Sequence, residues 1–230
     1  ESASYYATPL ILGHEAAGVI KELGEGVTGF KVGDRVGVCP MPGADGSSIG
    51  ITIDGGYSTM TTVPSDRLIP IPDNLDFMYA AAATDAGMTS YHAVVTQGRA
   101  KPGTKIGIIG IGGLGQVGAR IAVLKGAEVY ASSRKEEARE RALALGCKDA
   151  VKTADELAQF NLDAIVDFAG TADTITNALN VVRPGGRVVV VGLSASEVPV
   201  QMFPFVLGAK ELVGSAGGTA QDIADVYEFM

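Results

Sequence analysis

Short apolar runs alternate with Gly, Pro and Asp over the first 75 residues of the chain. Runs of this length, rich in Val, Ile and Thr and bounded by turn residues, are typical of β-strands. They predict strands at GVIKEL (18–23), DRVGVC (34–39), YSTMTTV (57–63) and RLIPI (67–71). The alanine-rich segment from about residue 76 predicts a helix capped by Asp73 or Asn74 and broken at Gly87. The pattern therefore predicts a small, mainly β unit followed by a helix.

The pattern changes from residue 105 onward, where apolar runs alternate with longer amphipathic segments. Strands are predicted at 105–110 and 127–132, and helices at 114–125 and 134–145, the second ending at Gly146. Later runs predict strands at 149–153, 162–170 and 187–193 and a helix at 171–182. Continuous apolar strands are typical of parallel sheets covered on both faces. The fold class predicted is α/β, with a doubly wound parallel sheet beside the mainly β unit.

Composition narrows the classes of function. The 230 residues are 47% hydrophobic and carry a net charge of −8 without a block of like charges, which disfavours nucleic acid and anionic membranes as partners. No apolar run approaches the length of a membrane span and no secretory leader is apparent, so we expect a cytoplasmic protein with a small-molecule substrate. The two cysteines, Cys39 and Cys147, are too few for a four-cysteine zinc site, and we expect both in the core.

A glycine-rich turn, GIGGLG, follows the first strand of the α/β region and opens a helix. Gly110, Gly112 and Gly115 match G-x-G-x-x-G, in which the glycines permit a tight turn, close approach to a pyrophosphate and close packing of helix on strand. The helix N-terminus offers free N–H groups to the phosphates. The pattern predicts dinucleotide binding by this turn, including Gly113 and Leu114, rather than a turn used only for packing.

The end of the second strand in this region indicates which dinucleotide is preferred. An acidic residue there would hold the ribose 2′-hydroxyl of NAD, whereas the chain has Ser132, Ser133 and Arg134. Two hydroxyls and a guanidinium suit a 2′-phosphate better, so we predict NADP(H). The alternative is that Arg134 and Lys135 are simply solvated, although cations are unfavourable beside a helix N-terminus.

One carboxylate, Asp85, follows four alanines and a threonine in AAAATDAG. An ionised group among small apolar neighbours is costly unless it is paired or coordinated, so we expect Asp85 to be buried with a partner. His14 and Glu15, in LGHEAAGVI, supply an imidazole and a second carboxylate, and together with Asp85 they make a plausible zinc set. The alternative is a helix cap or turn role for Asp85, and His92 is expected to be a core residue.

Several ordered motifs resemble the zinc-dependent, medium-chain alcohol dehydrogenases. The similarity covers nearly the whole chain and is carried by GHEAAGVI, VGDRVGV, DGGYST, PDNLDFMYAAAATDAGMTSYHA, GIGGLGQVGARIA, LGCKDAV, RPGGRVVVVGL and ELVGSAGG. The resemblance implies a GroES-like catalytic domain at 1–84, a Rossmann domain at 85–217, and a return segment to the catalytic domain at 218–230.

The resemblance also implies roles for particular residues. His14 and Asp85 would bind a catalytic zinc, with Glu15 beside the metal or transiently on it. Thr89 falls where the family has a threonine next to the nicotinamide, and Val191 and Gly192 would contact the dinucleotide. The expected function is hydride transfer between NAD(P)(H) and an alcohol, aldehyde or ketone.

Two departures from the family pattern affect the expected metal sites. The family's first zinc ligand, a cysteine upstream of GHE, has no counterpart in Glu1 to Leu12, and we expect the chain to be truncated at both ends. The lobe that usually carries four cysteines is replaced by residues 39–56, so we expect one catalytic zinc and no structural zinc.

Two other functions are also compatible with the sequence. One is a zinc-free quinone or enoyl reductase of the same fold, and the other is a non-catalytic NADPH-binding module. Oligomerisation is expected from the resemblance, since the family forms dimers or tetramers, often through the last strands of the nucleotide domain. Phe203 and Phe205 are expected to be exposed there.

Overall fold

The computed structural model describes residues 9–43 and 45–230. Contacts divide the chain into two compact units. The first comprises residues 1–88 and 217–230, and the second comprises residues 89–216. Residues 1–8, where the sequence offered no first zinc ligand, lie outside the described residues.

The first unit contains a three-stranded antiparallel sheet. Its strands are β1 (Ala16–Val19), β2 (Arg35–Val38) and β3 (Leu68–Pro70), with β2 in the centre. Gly37 of β2 pairs with Ala17 and Ile69. The strands predicted at 34–39 and 67–71 are therefore confirmed in shortened form, whereas the strand predicted at 18–23 lies earlier in the chain, at 16–19. The prediction for residues 57–63 is wrong: that stretch forms no strand, and its large residues Tyr57 and Met60 are exposed.

A helical segment follows and carries Asp85. It consists of α1 (Phe77–Ala82), a π turn (Ala83–Gly87), α2 (Met88–Tyr91) and a second π turn (His92–Gln97), so the unit boundary after Met88 falls within it. The cap is Asp76, whose carboxylate accepts the Met78 N–H at 2.8 Å. The predictions of Asp73 or Asn74 as the cap and of a break at Gly87 are wrong, since Gly87 stays within the helix as part of the π turn.

The last helix, α7 (Ala220–Tyr227), also belongs to the first unit. A capping box starts it: Thr219 Oγ1 accepts the Asp222 N–H at 3.1 Å, and Asp222 Oδ2 accepts the Thr219 N–H at 2.8 Å. The helix buries Ile223, Val226 and Tyr227.

A buried arginine organises the loops of residues 39–48, where the family's structural-zinc lobe was expected to be replaced. Arg67, in a short 3₁₀ turn (Ser65–Arg67), donates to the carbonyl oxygens of Met41 at 2.7 Å and Ser47 at 2.6 Å. It also donates to Asp45 Oδ1 at 2.7 Å. A side chain at Gly43 would overlap this guanidinium, so the loop wraps directly around it.

The second unit is a six-stranded parallel sheet with helices. In chain order it contains β4 (Lys105–Ile109), α3 (Gly113–Leu124), β5 (Glu128–Ser132), α4 (Glu136–Ala144), β6 (Asp149–Val151), a 3₁₀ turn (Asp155–Phe160), β7 (Ala164–Asp167), α5 (Ala172–Val181), β8 (Arg187–Val190), α6 (Met202–Leu207) and β9 (Glu211–Gly214). The spatial order is β6-β5-β4-β7-β8-β9, so the winding reverses between β4 and β7. This is the Rossmann order, and the predicted doubly wound sheet is confirmed.

The central strands are buried on both faces, as their apolar runs predict. The fully buried side chains of the sheet include Ile106, Ile108, Val129, Ile165, Val166 and Val188. Cys39 in the first unit and Cys147 in the second are buried free thiols, as expected. Within the described residues, no helix is both long and apolar enough to cross a membrane.

Candidate active site

The structure brings His14 and Asp85 together across 71 positions of sequence. Nε2 of His14 lies 3.3 Å from Oδ2 of Asp85. His14 follows Gly13, whose positive φ of 104° lets the chain turn just before β1. A side chain at Gly13 would also come within 2.7 Å of the Tyr57 ring.

Both side chains remain partly accessible. His14 is 44% exposed and Asp85 is 33% exposed, so the expectation of a buried Asp85 is wrong. Its carboxylate keeps part of its hydration because the π turn carries it to the surface of the first unit. A coordinating pair must be reachable by a metal ion and a substrate, and this exposure suits that role better than full burial does.

The π turn of Ala83–Gly87 sets the direction of Asp85. Widening the helical bonding from i+4 to i+5 rotates the following side chains relative to a regular helix, and such turns are frequent at functional sites. Glu15 is tied to the same turn, since its Oε1 accepts the N–H of Ala86 at 3.2 Å. Glu15 thereby connects the loop that carries His14 to the turn that carries Asp85.

The geometry of the pair fits part of a zinc site. Zinc bonded to nitrogen and oxygen at about 2.0–2.2 Å in a tetrahedron separates two ligand atoms by roughly 3.4 Å. The observed 3.3 Å is close to this edge, and it is long for a charge-assisted N–H···O bond, which is about 2.7–2.9 Å. His14 and Asp85 therefore supply one nitrogen and one oxygen donor at a spacing that zinc can bridge.

The structure does not bring Glu15 into a three-donor cluster with these two residues. Across residues 9–43 and 45–230, no group of three or more His, Cys, Asp or Glu side chains is placed to hold a metal ion. The Glu15 carboxylate bonds the backbone instead, which suits a residue that orients the site rather than one permanently on the metal.

The glycine turn has the geometry that a phosphate cradle requires. Gly110 has a φ of +86°, and a side chain at Gly115 would overlap the Gly110 carbonyl oxygen. Gly112 and Gly113 are exposed, and a Cβ on either would meet nothing within 4 Å. Gly112 precedes the 12-residue α3, whose first N–H groups receive no side-chain cap from it. The open backbone at the start of α3 can therefore accept a pyrophosphate.

The predicted adenosine end lies at the carboxyl end of β5. Arg134 is exposed and Ser133 is half-buried, whereas Ser132 is buried and its carbonyl oxygen accepts the Gly110 N–H at 2.9 Å. Arg139 donates to the carbonyl oxygens of Ser133 at 2.9 Å and Arg134 at 3.1 Å. Ser133 and Arg134 are thus the groups that a ligand could reach, and Arg139 fixes their backbone.

Sequence reasoning missed Asp167, which joins the ends of β7 and β8. Its fully buried carboxylate accepts the N–H groups of Ala169 and Gly170 and the Thr174 hydroxyl, and burial raises its pKa. Its carbonyl oxygen accepts the N–H groups of Val191 at 2.9 Å and Gly192 at 3.1 Å. The available signal was an aspartate ending an apolar strand in AIVDFAG, where a charge is costly without partners.

The remaining predicted residues all lie in the second unit. Thr89 is buried at the start of the second unit, and Leu114 is half-buried in α3 with its carbonyl oxygen accepting the Ser90 hydroxyl at 3.0 Å. His92 is half-buried and its ring lies 3.2 Å from the Gln97 amide nitrogen. Phe203 is exposed as predicted. Phe205 is not, because it packs partly buried against the core of the second unit.

Comparison with known proteins gives matches at both ends of the chain. Residues 2–73 match the alcohol dehydrogenase GroES-like domain, and residues 113–230 match the zinc-binding dehydrogenase model. An alcohol dehydrogenase from Geobacillus stearothermophilus is 37% identical over 244 residues, covering 96% of this chain and 72% of that protein.

Solved structures show the same similarity. The D-arabinose dehydrogenase of Sulfolobus solfataricus superposes with a TM-score of 0.86 at 28% identity, covering 98% of this chain and 78% of that one. A cobalt- and zinc-bound alcohol dehydrogenase from Pyrobaculum aerophilum gives a TM-score of 0.82 at 28% identity, covering 97% and 71%.

Proposed function

Because the chain belongs to the zinc-type, medium-chain alcohol dehydrogenase family, we propose that it transfers a hydride between NAD(P)(H) and an alcohol, aldehyde or ketone. The observation that carries this proposal is the 3.3 Å approach of His14 Nε2 to Asp85 Oδ2. The metal bound in the Pyrobaculum aerophilum relative supports zinc as the ion that this pair would hold. One catalytic zinc, and no structural zinc, is proposed for this chain.

His14 and Asp85 are the residues that would hold the ion. Zinc supplies Lewis-acid chemistry, polarising a carbonyl or lowering the pKa of an alcohol. Glu15 accepts a hydrogen bond from the Ala86 N–H and so fixes the position of the His14 loop relative to the turn that carries Asp85. Such outer partners orient the ligands of a metal and strengthen its binding.

The second unit supplies the dinucleotide-binding residues. Gly110, Gly112, Gly113, Leu114 and Gly115 would hold the pyrophosphate at the start of α3. Val191 and Gly192, fixed by the Asp167 carbonyl oxygen, would line the nicotinamide half, and Thr89 would contact its ring. We propose that these contacts position the nicotinamide beside the substrate, so that a hydride can pass directly between them.

We propose NADP(H) as the preferred cofactor, with carbonyl reduction as the favoured direction. Ser133 and Arg134 are accessible at the end of β5, and residues 129–135 include no carboxylate that would repel a 2′-phosphate.

Arg134→Ala should raise the KM for NADPH about ten-fold and leave the KM for NADH unchanged. Lys135→Ala, the neighbouring exposed cation, is the matched control and should change neither KM. Equal KM values for both cofactors in the wild type would contradict this preference.

We also propose that the chain forms homodimers or homotetramers and works in the cytoplasm. Strand β9 is an edge of the parallel sheet, and the nearby α6 exposes Met202, Phe203, Val206 and Leu207. A patch of this kind is typical of subunit interfaces. The two buried free thiols suit a reducing compartment.

The direct test of the function is NADPH-dependent turnover of a panel of aldehydes and ketones before and after chelation. We expect turnover that a chelator abolishes and added zinc restores, and that Asp85→Ala eliminates. Asp73→Ala, an exposed carboxylate of the same unit, serves as the control and should behave as wild type. Turnover that survives chelation would favour the zinc-free reductase. NADPH binding without any turnover would favour the binding module.

A further inference from the structure

A buried tyrosine hydroxyl contacts the helical segment that carries Asp85. Tyr227, the last residue of α7, is 5% exposed, and its hydroxyl donates to the carbonyl oxygen of Ala80 at 3.1 Å. Burial raises the pKa of this hydroxyl to about 12, so it remains protonated and able to donate at any pH near neutrality. Neither the dinucleotide site nor the proposed zinc ligands use this group.

The π turn explains why side-chain partners gather at this point. Changing from i+4 to i+5 bonding interrupts the regular ladder, and buried backbone groups at the interruption need other partners. Three side chains bond the backbone there. Tyr227 bonds the Ala80 oxygen, Thr84 Oγ1 donates to the Ala81 oxygen at 2.7 Å, and Glu15 accepts the Ala86 N–H at 3.2 Å.

The packing around Tyr227 leaves space for its hydroxyl because the neighbouring residue of β2 is a glycine. A side chain at Gly37, in the centre of β2, would overlap the Tyr227 oxygen and come within 3.2 Å of Thr84 Cγ2. A glycine inside a strand often marks such a close approach. Val226, the residue before Tyr227 in α7, would have its Cγ1 3.1 Å from a Cβ placed on Gly87. Helix α7 therefore packs directly against this helical segment through two consecutive residues: Tyr227 contacts Ala80 of α1, and Val226 lies beside Gly87 of the π turn.

We propose that Tyr227 is a positioning residue for Asp85: its hydroxyl, bonded to the Ala80 carbonyl, fixes the π turn in the form that directs the Asp85 carboxylate to His14. The inference rests on the proposed function, in which these two residues hold zinc. It adds a contribution from the last helix of the chain, which supplies no ligand itself but controls how well the ligand is presented.

The test removes one oxygen atom with Tyr227→Phe in the full chain. We expect the dissociation constant for zinc, measured by chelator competition, to rise about three- to ten-fold, at or below the low end of what outer partners of metal ligands contribute, because Tyr227 acts through the backbone and not on a ligand directly. In metal-free protein, we expect faster amide hydrogen exchange in the peptide spanning residues 79–91, because the turn opens more often without this bond. This exchange rate can be measured without bound metal and without enzyme activity.

The matched control is Ile223→Val on the same helix. Ile223 is fully buried in α7, and the substitution removes a methylene while leaving the Tyr227 hydroxyl in place. We expect it to lower the melting temperature at least as much as Tyr227→Phe does, with zinc affinity and local exchange unchanged. A purely structural role for Tyr227 would instead make the two variants behave alike.

The outcomes separate the inference from the function on which it rests. A wild type that binds no zinc overturns the proposed function, and the inference falls with it. A wild type that binds zinc, together with a Tyr227→Phe variant of equal zinc affinity and equal exchange, overturns the inference alone. Equal losses of affinity in Tyr227→Phe and Ile223→Val also overturn it.

Discussion

Two polar centres in the first unit, one around Arg67 and one at His14 and Asp85, are constructed differently. The Arg67 side chain is 7% exposed, and its guanidinium is surrounded by two carbonyl oxygens and the Asp45 carboxylate within 2.7 Å. The other centre consists of two partly exposed side chains joined by one contact of 3.3 Å.

This difference indicates that the Arg67 centre stabilises the fold, whereas the His14–Asp85 centre is available to bind a ligand. Nη1 and Nη2 of the Arg67 guanidinium donate to the chain's own oxygens, and its Nε lies 3.3 Å from Asp66 Oδ1, so removing this side chain takes the donor away from three acceptors. The His14–Asp85 pair is accessible and contributes little packing, so its removal should affect chemistry far more than folding. In this chain an arginine stands at the centre of the loops of residues 39–48.

The largest expected effect is on activity when the accessible centre is changed. His14→Ala should lower kcat/KM about a thousand-fold, which corresponds to about 4 kcal/mol of transition-state stabilisation. The free energy of unfolding of the metal-free protein should change by less than about 1 kcal/mol, because the side chain is partly exposed. Steady-state kinetics and urea titration measure the two quantities. A large loss of stability with retained activity would contradict this assignment, because it would make His14 a structural residue.

The next largest effect is on stability when the buried centre is changed. Arg67→Ala should lower the free energy of unfolding by about 3 kcal/mol, because two carbonyl oxygens and a carboxylate lose their donor. Arg67→Lys should recover only part of this loss, since an ammonium cannot reproduce the planar fork. Arg120→Ala, an exposed arginine, is the control and should cost less than about 0.5 kcal/mol. Equal urea midpoints for the Arg67 and Arg120 variants would refute the structural role.

A smaller effect should connect β2 to α7. Gly37→Ala should cost about 2 kcal/mol because its methyl group would overlap the Tyr227 hydroxyl. In a Tyr227→Phe background the same substitution should cost about 1 kcal/mol less, since the overlapping oxygen is gone. A double-mutant cycle of urea titrations gives this coupling. Strict additivity of the two substitutions would show that the glycine is not there to admit the hydroxyl.

The smallest effect concerns pH and the Arg67 centre. Hydrogen bonds from the Ser47 hydroxyl and N–H, together with the Arg67 guanidinium, hold the pKa of Asp45 below its usual value. A carboxyl with a lowered folded-state pKa stabilises the protein above its unfolded pKa, and this contribution is lost as pH falls through the folded value. Wild type should therefore exceed Asp45→Asn in urea midpoint at pH 7, with the gap closing below about pH 4. A gap that widens on acidification would contradict the sign.

The second unit could be predicted from sequence because its signals are local. Apolar runs define buried parallel strands, and the glycine turn at residues 110–115 lies directly between strand and helix. Other elements could not be predicted. The stretch 57–63 has strand-like composition, but its large side chains are exposed and have no sheet to cover. Helix α6 was missed because it is one short, mostly exposed apolar stretch without a polar stripe.

The candidate site was only partly predictable. The pairing of His14 with Asp85 was predicted from the ligand chemistry of the two residues and from the family resemblance, because no local pattern links residues 71 positions apart. The π turn depends on tertiary partners such as Glu15 and Tyr227, so the sequence instead indicated a helix broken at Gly87. The pattern at 67–71 predicts only that Arg67 begins a strand. Its hydrogen-bond partners lie in loops whose course depends on the folded structure, so the sequence does not indicate its role.

The measurement that tests the central claim most directly is the zinc content of purified protein by elemental analysis. The wild type and the Asp73→Ala control should each hold about one zinc per chain, and both His14→Ala and Asp85→Ala should hold none after dialysis against a weak chelator. Zinc retained at wild-type levels in the two variants, or no zinc in the wild type, would contradict the assignment of His14 and Asp85 as its ligands.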